Sequence, residues 1–127
     1  TNIIGYGNEY PFNEAVTYDI SCAALDNTHF VVGFSDGGDN EYGKCMIGTI
    51  SDTNIIGYGN EYPFNEAVTY YVSCAALDAT HFVVGYEDVG GDNYGIAMIG
   101  TRSEYIPVGL ENKSANMGSK MVAAGLI

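Results

Sequence analysis

Thr53–Tyr70, TNIIGYGNEYPFNEAVTY, repeats without a change the opening of the chain, Thr1–Tyr18. The offset is 53 − 1 = 52 residues, and residues 1–52 and 53–104 differ at 13 of the 52 aligned positions. Many of the differences fall between Phe34 and Cys45 and their counterparts Tyr86 to Ala97. A repeat of this length is one supersecondary unit that buries its apolar surface against neighbouring units, and three or more are normally needed. This chain has two. The expectation is a fold that completes itself by association.

Within one period the pattern is all β. Asn54–Phe64 reads as a strand with Ile55, Ile56, Tyr58 and Tyr62, and Pro63 near its end suits an edge, since proline donates no ladder bond. Asn65–Thr69 reads as a polar crossing segment. Tyr70–Leu77 is a strand of small residues around Ser73-Cys74-Ala75-Ala76. Asp78-Ala79-Thr80 is a turn. His81–Tyr86 is apolar with little alternation, the mark of a strand buried on both faces. Asp88–Asn93 is a loop of Gly, Asp and Asn, and Tyr94–Thr101 is a further strand. The first copy reads the same way, as Asn2–Phe12, Thr17–Leu25, His29–Phe34 and Gly43–Ile50. No segment has helical spacing.

Four short antiparallel strands per period of this size describe a β-propeller blade. The small-residue strands Ser21–Ala24 and Ser73–Ala76 fit the crowded innermost position. The HFVVG strands fit the position between neighbouring blades, and NIIGYGNEYPF fits the outermost. The pattern S-x-A-A-L-D-x-T-H-F-V-V-G-[FY]-x-D followed by YG and M-I-G-T, over residues 1–104, resembles the blade repeats of β-propeller-like proteins in large bacterial and phage surface proteins. That resemblance implies a propeller-type fold and a secreted or virion-surface setting. Kelch and WD repeats and the sialidase Asp box use a Trp, and this chain has none. The run Asp36-Gly37-Gly38-Asp39-Asn40 departs from the spacing of integrin-type calcium blades.

The chain opens with an outermost strand and its second blade lacks one. Two blades cannot close a ring, so the expected partner is the chain itself: a homotrimer or homotetramer by strand exchange, closing six or eight blades. Residues 105–127 leave the repeat and read as a C-terminal β cap, with Tyr105–Leu110 and Lys120–Ile127 as strands. The start at Thr1 rather than Met fits a processed or trimmed beginning.

Composition narrows the partners. The net charge is −12, with sixteen acids against four bases. Nucleic acid and anionic membrane surfaces both call for Lys and Arg, so neither is expected as a partner. No apolar run is long enough for a transmembrane helix. Cys22 and Cys74 share one repeat position and Cys45 faces an alanine in the other copy. That spacing gives no disulfide framework and no zinc motif, and all three read as small buried hydrophobes.

His29 and His81 each follow a turn and read as side chains that tie it down. Metal or cofactor chemistry would need several converging ligands, and none is expected. The candidate ligand-binding residues are in the two loops: Asp36, Asp39, Asn40 and Tyr42, and Asp88, Asp92, Asn93 and Tyr94. Acids, amides and tyrosines grip sugar hydroxyls by hydrogen bond and stacking, so a glycan is the ligand class considered. The expected function is a non-catalytic recognition or structural propeller module. A purely architectural repeat and a glycoside hydrolase with a carboxylate pair are the alternatives.

Overall fold

The computed structural model describes residues 2–104, and within them the chain is all β. Seven strands form one antiparallel sheet: β1 Thr17–Asp26, β2 His29–Asp36, β3 Tyr42–Ser51, β4 Asn54–Tyr58, β5 Tyr62–Ala76, β6 His81–Asp88 and β7 Tyr94–Thr101. Their order is β1-β2-β3-β5-β6-β7, with β4 also on β3. The sheet is open, without ring closure.

The duplication in sequence becomes a duplication in register. Thr17 pairs Asp36, Tyr18 pairs Ser35 and Ser21 pairs Gly33; fifty-two residues later Thr69 pairs Asp88, Tyr70 pairs Glu87 and Ser73 pairs Gly85. All eight pairs of β2 with β3 recur between β6 and β7. Each copy has the same bulge, with Asp19 (φ 52°) and Tyr71 (φ 58°) in the left-handed region. Aspartate tolerates that conformation better than tyrosine does.

β5 joins the two meanders. Its first part, Tyr62 to Val68, pairs with β3. Its second part, Thr69 to Ala76, pairs with β6. Two expectations are corrected here. Asn54–Phe64 is not one strand: it breaks after Tyr58 and resumes at Tyr62. Asn65–Thr69 is not a crossing loop, because the open edge of β3 supplies partners for its backbone.

The meanders pack face to face and asymmetrically. The first presents Leu25, Val31 and Cys45, flanked by Ala23 and Ile47. The second presents Val72, Phe82, Val84 and Tyr86, flanked by Cys74 and Ile96. The Cys74 amide also donates across the junction to Ser21 Oγ at 2.9 Å. Gly33 makes the approach possible, since a Cβ there would lie 2.8 Å from Cys74 Sγ. The opposite face of the first meander buries Val32, Phe34 and Met46 beneath Phe12, Phe30 and Tyr58. β2 is therefore buried on both faces, as expected from HFVVG, whereas β6 alternates between buried and half-buried residues. The outer face of the second meander leaves Leu77 and Ile99 exposed.

The first copy of the repeat departs from its expected strand. Asn2–Phe12 forms none and is exposed up to Pro11. It is fastened near its end, where Tyr58 Oη donates to the Tyr10 carbonyl at 2.9 Å and Phe12 packs edge-on against Phe34 at 5.0 Å. Of the cysteines only Cys45 is buried; Cys74 is half-buried and Cys22 exposed, and all three are free thiols. Cys22 and Cys74 share a repeat position, but only Cys74 faces a meander junction. The expected tail strands lie outside the described residues.

Candidate functional site

The loop candidates occupy the tips of two equivalent hairpins. In the first, the Asp39 and Glu41 amides both donate to the Asp36 carbonyl at 2.9 Å, and Asn40 and Glu41 take left-handed φ of 55° and 58°. In the second, the Gly91 and Asn93 amides donate to the Asp88 carbonyl at 3.1 and 2.9 Å, with Asp92 at 62° and Asn93 at 59°. The positive φ angles therefore fall on acids and amides rather than on the paired glycines. Gly38 and Gly90 serve close packing instead: a Cβ on either would collide with Ala15 or Ala67 of the incoming segment.

A shared anchor holds both tips. Asn13 Nδ2 donates to Thr17 Oγ1 at 2.9 Å and Asp36 Oδ1 at 3.1 Å, and Asn65 repeats both bonds to Thr69 and Asp88. Beyond that anchor the tips diverge. Lys44 Nζ sits 2.9 Å from Asp36 Oδ2, 2.7 Å from Asp39 Oδ2 and 2.7 Å from Glu61 Oε1. The Lys44 side chain is 6% exposed and that of Asp36 7%. Burial pushes the Asp36 carboxyl up, but the bonds from Lys44, Asn13 and the Gly38 amide outweigh it and hold it below the usual range. Burial likewise pulls the Lys44 ammonium down, and its bonds to Asp39, Glu61 and Asp36 override that and raise it.

The first tip thus spends Asp36 and Asp39 on a buried lysine. Asn40 is exposed there and Tyr42 half-buried. In the second tip Ile96 stands where Lys44 stands in the first. Among the described residues Asp88 keeps only the Asn65 anchor among its side-chain bonds, and Asn93 Nδ2 donates to Glu87 Oε2 at 2.8 Å. Asp92 and Asn93 are exposed, and Tyr94 is 66% exposed. Of the eight candidates, the four of the second tip form the more open polar surface.

The other end of the sheet carries the histidines. Asp26 Oδ1 accepts from the Thr28 amide at 2.8 Å and meets His29 Nδ1 at 3.0 Å; Asp78, Thr80 and His81 repeat this at 2.8 and 2.9 Å. The Thr28 and Thr80 amides, then the histidines, hold both carboxyls at about 2. Arg102 Nη2 lies 3.1 Å from His29 Nε2. A guanidinium only donates, so Nε2 is the acceptor and the ring proton sits on Nδ1, directed at Asp26. Each histidine is a turn tie, and Arg102 links the end of β7 to the turn after β1. Among the described residues no group of three or more His, Cys, Asp or Glu is arranged to hold a metal ion.

Lys44 and Glu61 are absent from the sequence-derived candidates. The signal for Lys44 was present: it is the only basic residue before Arg102, set among fourteen acids. Glu61 carried no signal of its own, being one of a repeated pair with Glu9. Comparison with family models, curated proteins and solved structures returns no match for this chain.

Proposed function

We propose that this chain is a non-catalytic structural module of propeller-type blades. The observation that carries the reading is the asymmetric junction between the meanders. One face of the first copy meets the opposite face of the second, so the packing rule can be applied again by any further unit. The small-residue strands β1 and the end of β5 occupy one margin of each meander, as an innermost blade strand would. Asp36 and Asp39 are engaged with Lys44, which supports a scaffold role for the first tip over an acid–base pair, since a glycosidase needs carboxylates free to exchange protons.

A recognition role is favoured at the second tip, with a glycan as the ligand class. Tyr94 offers an open ring beside Asp92 and Asn93, which suits stacking and hydroxyl recognition. The experiment is a glycan array probed with the full chain and with Tyr94→Ala, alongside a glycoside hydrolysis panel. Hits lost in Tyr94→Ala support recognition. An empty array leaves an architectural repeat, and turnover abolished by Asp88→Asn overturns the non-catalytic reading.

A further inference from the structure

The peptide NIIGYGNEYPF exists in this chain in two states. As Asn54–Phe64 it lies along β3: Gly48 pairs Tyr58, Thr49 pairs Gly57 and Cys45 pairs Tyr62. As Asn2–Phe12 it joins no strand ladder among the described residues: its Asn8 amide donates to Asn54 Oδ1 at 2.7 Å and its Tyr10 carbonyl accepts from Tyr58 Oη at 2.9 Å, while Ile3 and Tyr6 are each 91% exposed. The counterpart of β3 in the second copy is β7, whose sole ladder partner among the described residues is β6.

We propose that Asn2–Phe12 of one copy of this chain adds as a strand to the free edge of β7 in a second copy. The internal junction fixes the register by a shift of 52: Tyr6 opposite Gly100, Gly5 opposite Thr101 and Tyr10 opposite Ala97. The cavity beside that edge agrees. In the first meander Val32, Phe34 and Met46 are covered by Phe12, Phe30 and Tyr58. In the second, a groove of about 490 Å³ is lined by Val84, Met98, Phe64, Phe82 and Gly100. Val84, Met98, Phe64 and Phe82 are the counterparts of Val32, Met46, Phe12 and Phe30, and Cys45 to Ile47 of the first meander form the opposite wall. Met46 beneath its tyrosine is 8% exposed, whereas Met98 is 41% exposed. Tyr6 of the incoming copy is the residue that the register delivers there.

The sheet faces match as well. Leu77 and Ile99 are exposed on the outer face of the second meander, where Leu25 and Ile47 pack in the internal junction. Ile20 is exposed on the first meander, at the position of the buried Val72. Donation therefore covers an edge and a face together. It is a head-to-tail contact, closing as a ring at three or four copies or continuing as an open filament. One substitution sets its strength below that of the internal junction: Glu9 meets Ile96, where Glu61 meets Lys44. The contact between copies is accordingly reversible on dilution.

This proposal rests on the repeating junction of the structural reading and is tested apart from the ligand. The full chain is followed by light scattering after size exclusion across a wide concentration series, with hydrogen exchange of the β7 amides at each end of it. The expected result is a mass of several times 13.6 kDa, with the β7 amides directed away from β6 protected only in the associated form. Tyr6→Ala, at a solvent-exposed site that the fold does not use, lowers the association constant by about 10- to 30-fold, as loss of a buried aromatic anchor does. Gly5→Cys with Thr101→Cys, in a Cys22→Ser background, gives a disulfide between chains. A single-chain mass throughout overturns the proposal, and protection in that single chain of the β7 amides directed away from β6 assigns the edge to residues 105–127. Association that is indifferent to Tyr6→Ala and yields no cross-link overturns it too. The glycan array reads the second tip in every one of these cases.

Discussion

Lys44→Met removes the one cation from a buried cluster while keeping most of the side chain's length. The three carboxylates do not contribute equally. Asp39 and Glu61 are 46% and 43% exposed, so water replaces much of what the ammonium gave them, a loss of up to about 1 kcal/mol each. Asp36 is enclosed and keeps only Asn13 and Gly38 as donors. Stranding one member of a buried pair costs about 3–5 kcal/mol, and the two remaining donors place Asp36 near the lower end. The expected destabilisation is about 3 kcal/mol, a fall in Tm of roughly 10–15 °C for a domain this size. Adding Asp36→Asn removes the stranded charge, keeps Oδ1 as acceptor for Asn13 and Gly38, and should recover more than half of the loss. Thermal and urea unfolding at pH 7, followed by circular dichroism, measure both variants. The sign with pH follows from the shifts. The depressed Asp36 carboxyl adds stability above about pH 4 that fades on acidification. The raised Lys44 adds stability below about pH 10 that fades in stronger base. If Lys44→Met falls within 1 kcal/mol of the parent, or if the double variant is no better than the single one, the cluster is not dry and the reasoning fails.

Three further outcomes are expected. Gly90→Ala forces a Cβ onto Ala67 and should cost about 1–3 kcal/mol by overpacking, read as a lower urea midpoint at unchanged m-value. Tyr71→Asn relieves a left-handed tyrosine (φ 58°) but gives up its edge contact with Tyr70 at 6.0 Å. The net is a gain of about 0.5–1 kcal/mol, seen as a Tm a few degrees higher. Asp26 and Asp78, held at about 2, contribute stability above the unfolded value near pH 4 that is lost as pH falls toward 2. Asp26→Asn with Asp78→Asn should flatten that limb of an acid titration followed by circular dichroism, leaving the region above pH 5 parallel to the parent.

Much of the fold was legible because most strands declare themselves locally. Asp26 to Thr28 marks a turn by its own side-chain chemistry, and HFVVG marks the strand that follows. The long course of β5 was hidden because Asn65 and Glu66 look like loop residues. What makes them strand is the vacant edge of β3, a tertiary fact that overrides propensity. The hairpin tips were visible as loops, but nothing local shows that Gly38 and Gly90 leave room for Ala15 and Ala67. The difference between the tips turns on Lys44, whose partners are the last residue of β2 (Asp36), a hairpin-loop residue (Asp39) and a residue in the break between β4 and β5 (Glu61). No local spacing joins them.

The two fates of one peptide make the same point more sharply. Asn2–Phe12 and Asn54–Phe64 have equal propensity, equal hydrophobicity and the same turn chemistry, since their residues are the same. One is largely strand and the other is not, so intrinsic preference contributes nothing to the difference. What differs is whether an antiparallel edge lies within reach. Asn54–Phe64 follows β3 through a short turn at Asp52 (φ 57°) and folds back on it at small entropic cost. Asn2–Phe12 lies along no strand edge among the described residues. A segment that gains its structure only from an edge, in a molecule whose β7 has one edge unpaired among the described residues, is expected to be stable as a strand only at concentrations where copies meet. Order in Asn2–Phe12 should therefore rise with protein concentration while β1 to β3 stay unchanged, a dependence that no property of the segment alone can produce.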